Sequence, residues 1–287
     1  MSAATATAPV RPAGTDAPTV SFAKLVRSEW IKLWTLRSTW WVVIVTIVAQ
    51  TGFTWLATYF TFQNVSPAEL GIPAEQVGPS FVQSGVMIGQ LVISVLAVLA
   101  ITGEYSTGSI RSTFAAAPRR IGAVLAKGVV VLAVAFGTGA AATLLSWALI
   151  APTLGSEYGI DLSDEMHRRV LIAMPLYLVG VALFSFAIGA LLRVSAAALA
   201  TVFGVFLVVE TLIAGFSGNI RFFAIITPFL PSNAGSQVLS TSTEDIEALR
   251  ASSDVALLTP WQGYGVLIAW GLVLLGAALV LVRRRDA

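Results

Sequence analysis

The sequence predicts an all-α polytopic membrane protein, and three observations carry that prediction. Only 11% of the 287 residues are charged and 56% are hydrophobic, against about a quarter charged in an ordinary soluble domain. Six separate apolar stretches reach the ~20 residues that a helix needs to cross a hydrocarbon core. The basic residues also alternate from one connection to the next. With the N-terminus inside, thirteen of the seventeen Lys and Arg fall on one side, and ten of the fifteen acids on the other. That bias predicts a cytoplasmic-membrane protein with both termini in the cytosol.

Residues 1–20, rich in Ala, Thr and Pro, contain no apolar run and are expected to be a disordered cytosolic tail. Residues 21–38, SFAKLVRSEWIKLWTLRS, gather Phe22, Leu25, Val26, Trp30, Leu33, Trp34 and Leu36 on one broad helical face, with Lys24, Arg27 and Lys32 opposite. A basic amphipathic helix with Trp at its boundary suits the membrane–water interface. Glu29 and Arg37 fall inside the apolar arc. Glu29 must therefore pair with Lys32 three residues on, or face another protein element rather than lipid.

The spans expected within residues 39–287 are 39–62, 81–102, 121–150, 170–192, 195–216 and 261–282. The third is longer than a bilayer requires and should tilt or project. Trp40, Trp41, Trp55 and Tyr59 read as aromatic belts, and Gly263, Gly271 and Gly276 as a close helix contact. Glu210 is the only acid placed inside a span, and Gln50 and Gln90 are uncharged polar residues at mid-span. The glutamines suit interhelical hydrogen bonds. Glu210 is either a polar point on a path or subunit contact, or an acid pairing locally, with Arg221 as one partner, or reaching the interface.

Between the second and third spans lies GEYSTGSIRSTFAAAPRR, residues 103–120. As a helix it places Glu104, Thr107/Gly108 and Arg111 on one stripe, beside the apolar pair Ile110 and Phe114. Glu104 and Arg111 would stand about 10 Å apart along the axis, so each needs its own partner. The last exterior connection, 217–260, begins with an apolar run broken by Pro228 and Pro231. Such a run cannot span but can re-enter a leaflet when packed on protein. Its second part, STSTEDIEALRASSDVALL, reads as an exposed acidic helix or loop.

Several chemistries lack their residues. None of Lys24, Lys32 and Lys127 follows a glycine, so there is no phosphate-binding GxxxxGK[ST] loop. Cysteine is absent, and the lone histidine, His167, sits in DEMHRR without an HExxH pattern. Asp164, Glu165 and His167 read as a solvated interfacial cluster rather than a metal site. No enzyme activity, cofactor or nucleic-acid partner is expected.

The lead-in SEWIKLWTLRSTWW, the six spans, GEYSTGSIRSTFAAAPRR and TPFLPSNAG, in this order, resemble the permease subunit of a type-2 ABC exporter of the short actinobacterial type. The resemblance covers nearly the whole chain from about Val20. It implies that residues 22–38, with Glu29, Trp30 and Lys32, form an interfacial connecting helix near the ATPase subunit or the coupling loop. It implies that Glu104, Tyr105, Gly108, Ile110 and Arg111 belong to a coupling helix docking in a groove of that ATPase. It also implies that residues 220–235, with Pro228, Pro231 and Ser232, close the outer mouth. The partners implied are a separate ABC ATPase subunit, a second permease copy or paralogue, and the lipid bilayer. An ATP-independent transporter or channel, or a membrane scaffold, is the alternative.

Overall fold

A computed structural model describes residues 21–65, 67–109, 120–242 and 256–285. The described residues form helices and turns, and six helices are long and apolar enough to cross a membrane. The tail 1–20, Ile110 and Arg111 of the expected coupling helix, and most of the acidic stretch after Ser242 lie outside the described residues.

The N-terminal helix is shorter than expected. It runs Phe22–Thr35 and stops at Leu36, whose backbone is extended (φ −82°, ψ 123°). That break makes Arg37 the first residue of span 1, Arg37–Asn64, instead of a member of the amphipathic arc. Span 2 begins earlier than expected and is broken in two, Ala74–Gln83 and Val86–Thr107, around Ser84 and Gly85. A side chain at Gly85 would overlap the backbone oxygen of Gln50 in span 1, so the break lies where two helices approach most closely.

Span 3, Arg120–Leu154, has 35 residues. That length is about 52 Å, well beyond a ~30 Å hydrocarbon core, as its apolar run foretells. Span 4, Glu165–Leu192, is the centre of the bundle. Its most apolar window is 78% buried, against 22% for spans 1 and 5. Spans 6, 2 and 3 surround it.

Small residues set the closest of these contacts. A Cβ at Gly180 of span 4 would come within 2.6 Å of Leu267 in span 6, and one at Gly271 of span 6 within 2.6 Å of Leu183 in span 4. Each glycine therefore receives a leucine from the opposite helix. Gly263 likewise abuts Ala234, but Gly276 faces open space and takes no part in the contact expected of it.

Span 1 reverses the polarity of a soluble helix. Its buried residues are Thr39, Thr46, Gln50, Thr54 and Thr58, while Trp41, Ile44, Val45, Val48 and Phe60 point outward. Span 5 starts as an α-helix, Ser195–Phe203, widens to a π-helix at Gly204–Val209, and resumes as Glu210–Phe216. The apolar run after it is a chain of short turns: Arg221–Ile226, Thr227–Phe229, Pro231–Ser236 and Gln237–Leu239. Span 6 is Pro260–Arg285.

Candidate functional site

At the end of the bundle carrying the N-terminal helix, four charged side chains from three elements close into a ring. Glu29 and Lys32 come from the N-terminal helix, Glu104 from the last turn of span 2, and Lys127 from the second turn of span 3. The Lys32 ammonium donates to Glu29 Oε1 at 2.7 Å and to Glu104 Oε1 at 2.8 Å. Lys127 donates to Glu29 Oε2 and lies 2.9 Å from Glu104 Oε1. Each lysine thus bridges both acids, and the charges cancel.

Burial separates the members. Glu29, Glu104 and Lys127 are 5%, 8% and 6% exposed, whereas the Lys32 side chain is 46% exposed. Burial is the largest single influence on Lys32 and acts to lower its pKa. The hydrogen bonds and charges of Glu104 and Glu29 together outweigh it and raise the group above 10.5. Glu29 and Lys32 form the i,i+3 pair open to them in sequence, and Glu29 also faces protein.

The ring relocates Glu104. Its carboxylate is turned inward onto two lysines, so it is not a surface residue of a separate docking helix. Glu104 and Tyr105 end the span 2 helix itself, and Gly108 terminates it in the left-handed region (φ 71°), with its N–H on the Tyr105 carbonyl at 3.3 Å. That terminator breaks the single helical stripe expected to run from Glu104 to Arg111. The Tyr105 ring lies 5.0 Å beneath the guanidinium of Arg193, which ends span 4 with φ 61°. Ser195, opening span 5, donates to Thr102 of span 2 at 2.8 Å. The turn between spans 4 and 5 is therefore fastened to the same base. Trp30 is exposed and meets Trp34 edge-on at 5.8 Å.

At the opposite end, Glu210 is buried, 2% exposed, on the residue that follows the π-helix. Its Oε1 accepts from the Ser232 backbone N–H at 2.9 Å, and its Oε2 from the Asn233 N–H and Nδ2, both at 2.9 Å. These are first-turn donors that a helix cannot satisfy itself, and Pro231 at the helix start presets that turn. The acid thus caps the Pro231–Ser236 helix, and Ser232 is held by its backbone. Pro228 lies in the preceding turn, outside this contact. Three more bonds clamp the element: Trp270 Nε1–H to the Phe229 carbonyl at 2.9 Å, and the Arg169 guanidinium to the Val238 and Ser240 carbonyls at 2.9 and 2.7 Å.

Of the two mid-span glutamines, Gln90 accepts a hydrogen bond from the Tyr177 hydroxyl of span 4. Gln50 is fully buried against Gly85 and Gly89 with neither amide atom bonded. His167 is also a structural staple. Its Nδ1 accepts from the Asp161 N–H at 2.8 Å, and its Nε2 donates to the Glu75 carbonyl at 2.6 Å, which fixes the tautomer. Among the described residues no three metal-ligating side chains converge.

Lys127 and Asn233 are the members of these two sites that sequence reasoning missed. Lys127 carried a signal, because a lysine a few residues inside an apolar run demands a buried partner. The chain matches no protein-family model, and no curated protein matches it.

Proposed function

We propose that this chain is the transmembrane subunit of an ATP-driven exporter, the permease of a type-2 ABC system working with a separate ATPase and a second permease copy. One observation carries the reading. The buried ring joins the interfacial helix, the end of span 2 that leads into segment 103–120, and the start of span 3 that leaves it. A force applied to that segment would reach three elements as one body, since the buried ion pairs tie them at fixed distance.

In this mechanism ATP closes the ATPase dimer, its surface shifts segment 103–120, and spans 2 and 3 follow together with the N-terminal helix. Ile110 and Arg111 are the contact residues of that segment, and Glu104 transmits from behind. The outward apolar faces of spans 1 and 5 border an open groove of ~370 Å³ lined by Trp41, Val45, Leu91, Val95 and Phe203. Such a surface suits a second copy and an apolar path between the two. ATP hydrolysis belongs to the partner, and the chain needs no cofactor of its own.

The test is co-purification from the native host in mild detergent. An ATPase recovered in equal amount, and lost with Ile110→Asp plus Arg111→Glu while the chain still inserts, is the expected result. A homo-oligomer without an ATPase would favour an ATP-independent transporter or scaffold instead.

A further inference from the structure

We propose that the exposed flank of the N-terminal helix and the first turn of span 1 form a binding site for anionic phospholipid headgroups in the adjoining leaflet. Between Ser21 and Trp41 the exposed cations are Lys24, Arg27, Lys32 and Arg37, and the single acid, Glu29, is buried. Lys32 is committed to the ring, where two lysines already balance two glutamates. Lys24, Arg27 and Arg37 therefore remain as an excess of three positive charges at the surface.

These cations stand among exposed apolar side chains. The helix turns Val26, Glu29 and Leu33 toward the bundle, while Phe22, Trp30 and Ile31 stay exposed on the flanks beside Lys24 and Arg27. That flank continues without interruption into a span. Trp30 contacts Trp34, Trp34 packs on Trp40 with centroids 4.7 Å apart, and Trp40 Nε1–H donates to the Trp34 carbonyl at 3.2 Å. Leu36, Trp40 and Trp41 beyond it are exposed.

Cations interleaved with indole rings, in register with the end of a membrane-length helix, match a surface that is anionic at the headgroup and apolar just beneath it. An acidic protein face would meet the same charge but would leave the exposed Trp30–Trp40–Trp41 surface uncovered. The observations therefore favour lipid. The inference does not depend on what the protein transports or on what drives it.

The experiment is native mass spectrometry of the full chain, purified in mild detergent and offered phosphatidylglycerol and phosphatidylcholine of equal chain length. Wild type should retain phosphatidylglycerol preferentially. Lys24→Gln, Arg27→Gln and Arg37→Gln should each cut the preference by up to about fivefold, and the triple variant should abolish it. Added salt should weaken it in parallel. All three side chains are exposed, so melting temperature in phosphatidylcholine nanodiscs should be unchanged, and the single variants keep the test decisive if the triple fails to fold. Equal retention of the two lipids by wild type would overturn the proposal. So would a preference that the substitutions leave intact, or loss of a co-purifying protein with lipid retention unaltered.

Discussion

Removing Lys127 alone would leave Glu29 and Glu104 buried with only the half-exposed Lys32 between them. Breaking a buried pair from one side typically costs ~3–5 kcal/mol, whereas replacing the whole set by apolar groups is often neutral. Lys127→Met should therefore destabilise the protein by about 3 kcal/mol. Adding Glu29→Leu, Lys32→Met and Glu104→Leu, which makes the whole set apolar, should restore most of that, as read by thermal melting in detergent. If stability recovers while the proposed ATP-dependent transport does not, the ring serves coupling and not folding. The ring is also bounded in pH. Because the Lys32 pKa is raised above 10.5 on folding, its contribution is complete below that value and is lost as pH climbs through the raised one. Thermal stability should accordingly fall at strongly alkaline pH in wild type and change less in Lys32→Met. The sequence disclosed the Glu29–Lys32 pair through helical spacing, but not the rest, since Glu104 and Lys127 lie 72 and 98 residues away from their partners.

Two elements carry devices of their own. The π-helix at Gly204–Val209 places Glu210 toward the Pro231–Ser236 turn, and a π-turn is in effect one extra residue in an α-helix. Deleting Val205 should convert it to α-helix, turn Glu210 by about 100°, and free the outer element. The same release should follow from Glu210→Ala. With no native cysteine in the chain, a single Cys at Ser232 would report either event as a rise in labelling rate, on the order of tenfold for a capping loss of ~1–2 kcal/mol. Unchanged labelling in both variants would show that Trp270 and Arg169 hold the element without it. The break in span 2 is the second device. Gly85→Ala should cost about 1–3 kcal/mol by overpacking against Gln50, measured again as a shift in melting temperature. Pro228 and Pro231 announced the broken element after span 5 in sequence. Neither the π-helix nor the span 2 break was legible in advance, because each depends on which neighbour the helix meets.

At the scale of the whole molecule, the fold class was legible because a bilayer imposes length and hydropathy on each span separately. The packing order was not, because a lipid-facing helix is as apolar as an enclosed one: span 6 has a higher mean hydropathy than span 4 and is far less buried. What joins the two ends is the bundle itself. Span 5 is tied at its base through Ser195 to Thr102, and near its far end through Glu210 to Ser232 and Asn233. A displacement of span 2 thus has a direct route to the Pro231–Ser236 element at the opposite end of the bundle. Inter-spin distances between the two copies of the proposed exporter test this most directly, with single cysteines placed at the exposed Ser28 and, separately, at the exposed Ser236. In the proposed complex, trapping the partner ATPase with ATP and vanadate should move both distances together in wild type, and only the Ser28 distance in Glu210→Ala. Distances that stay fixed at both ends on trapping would contradict the account.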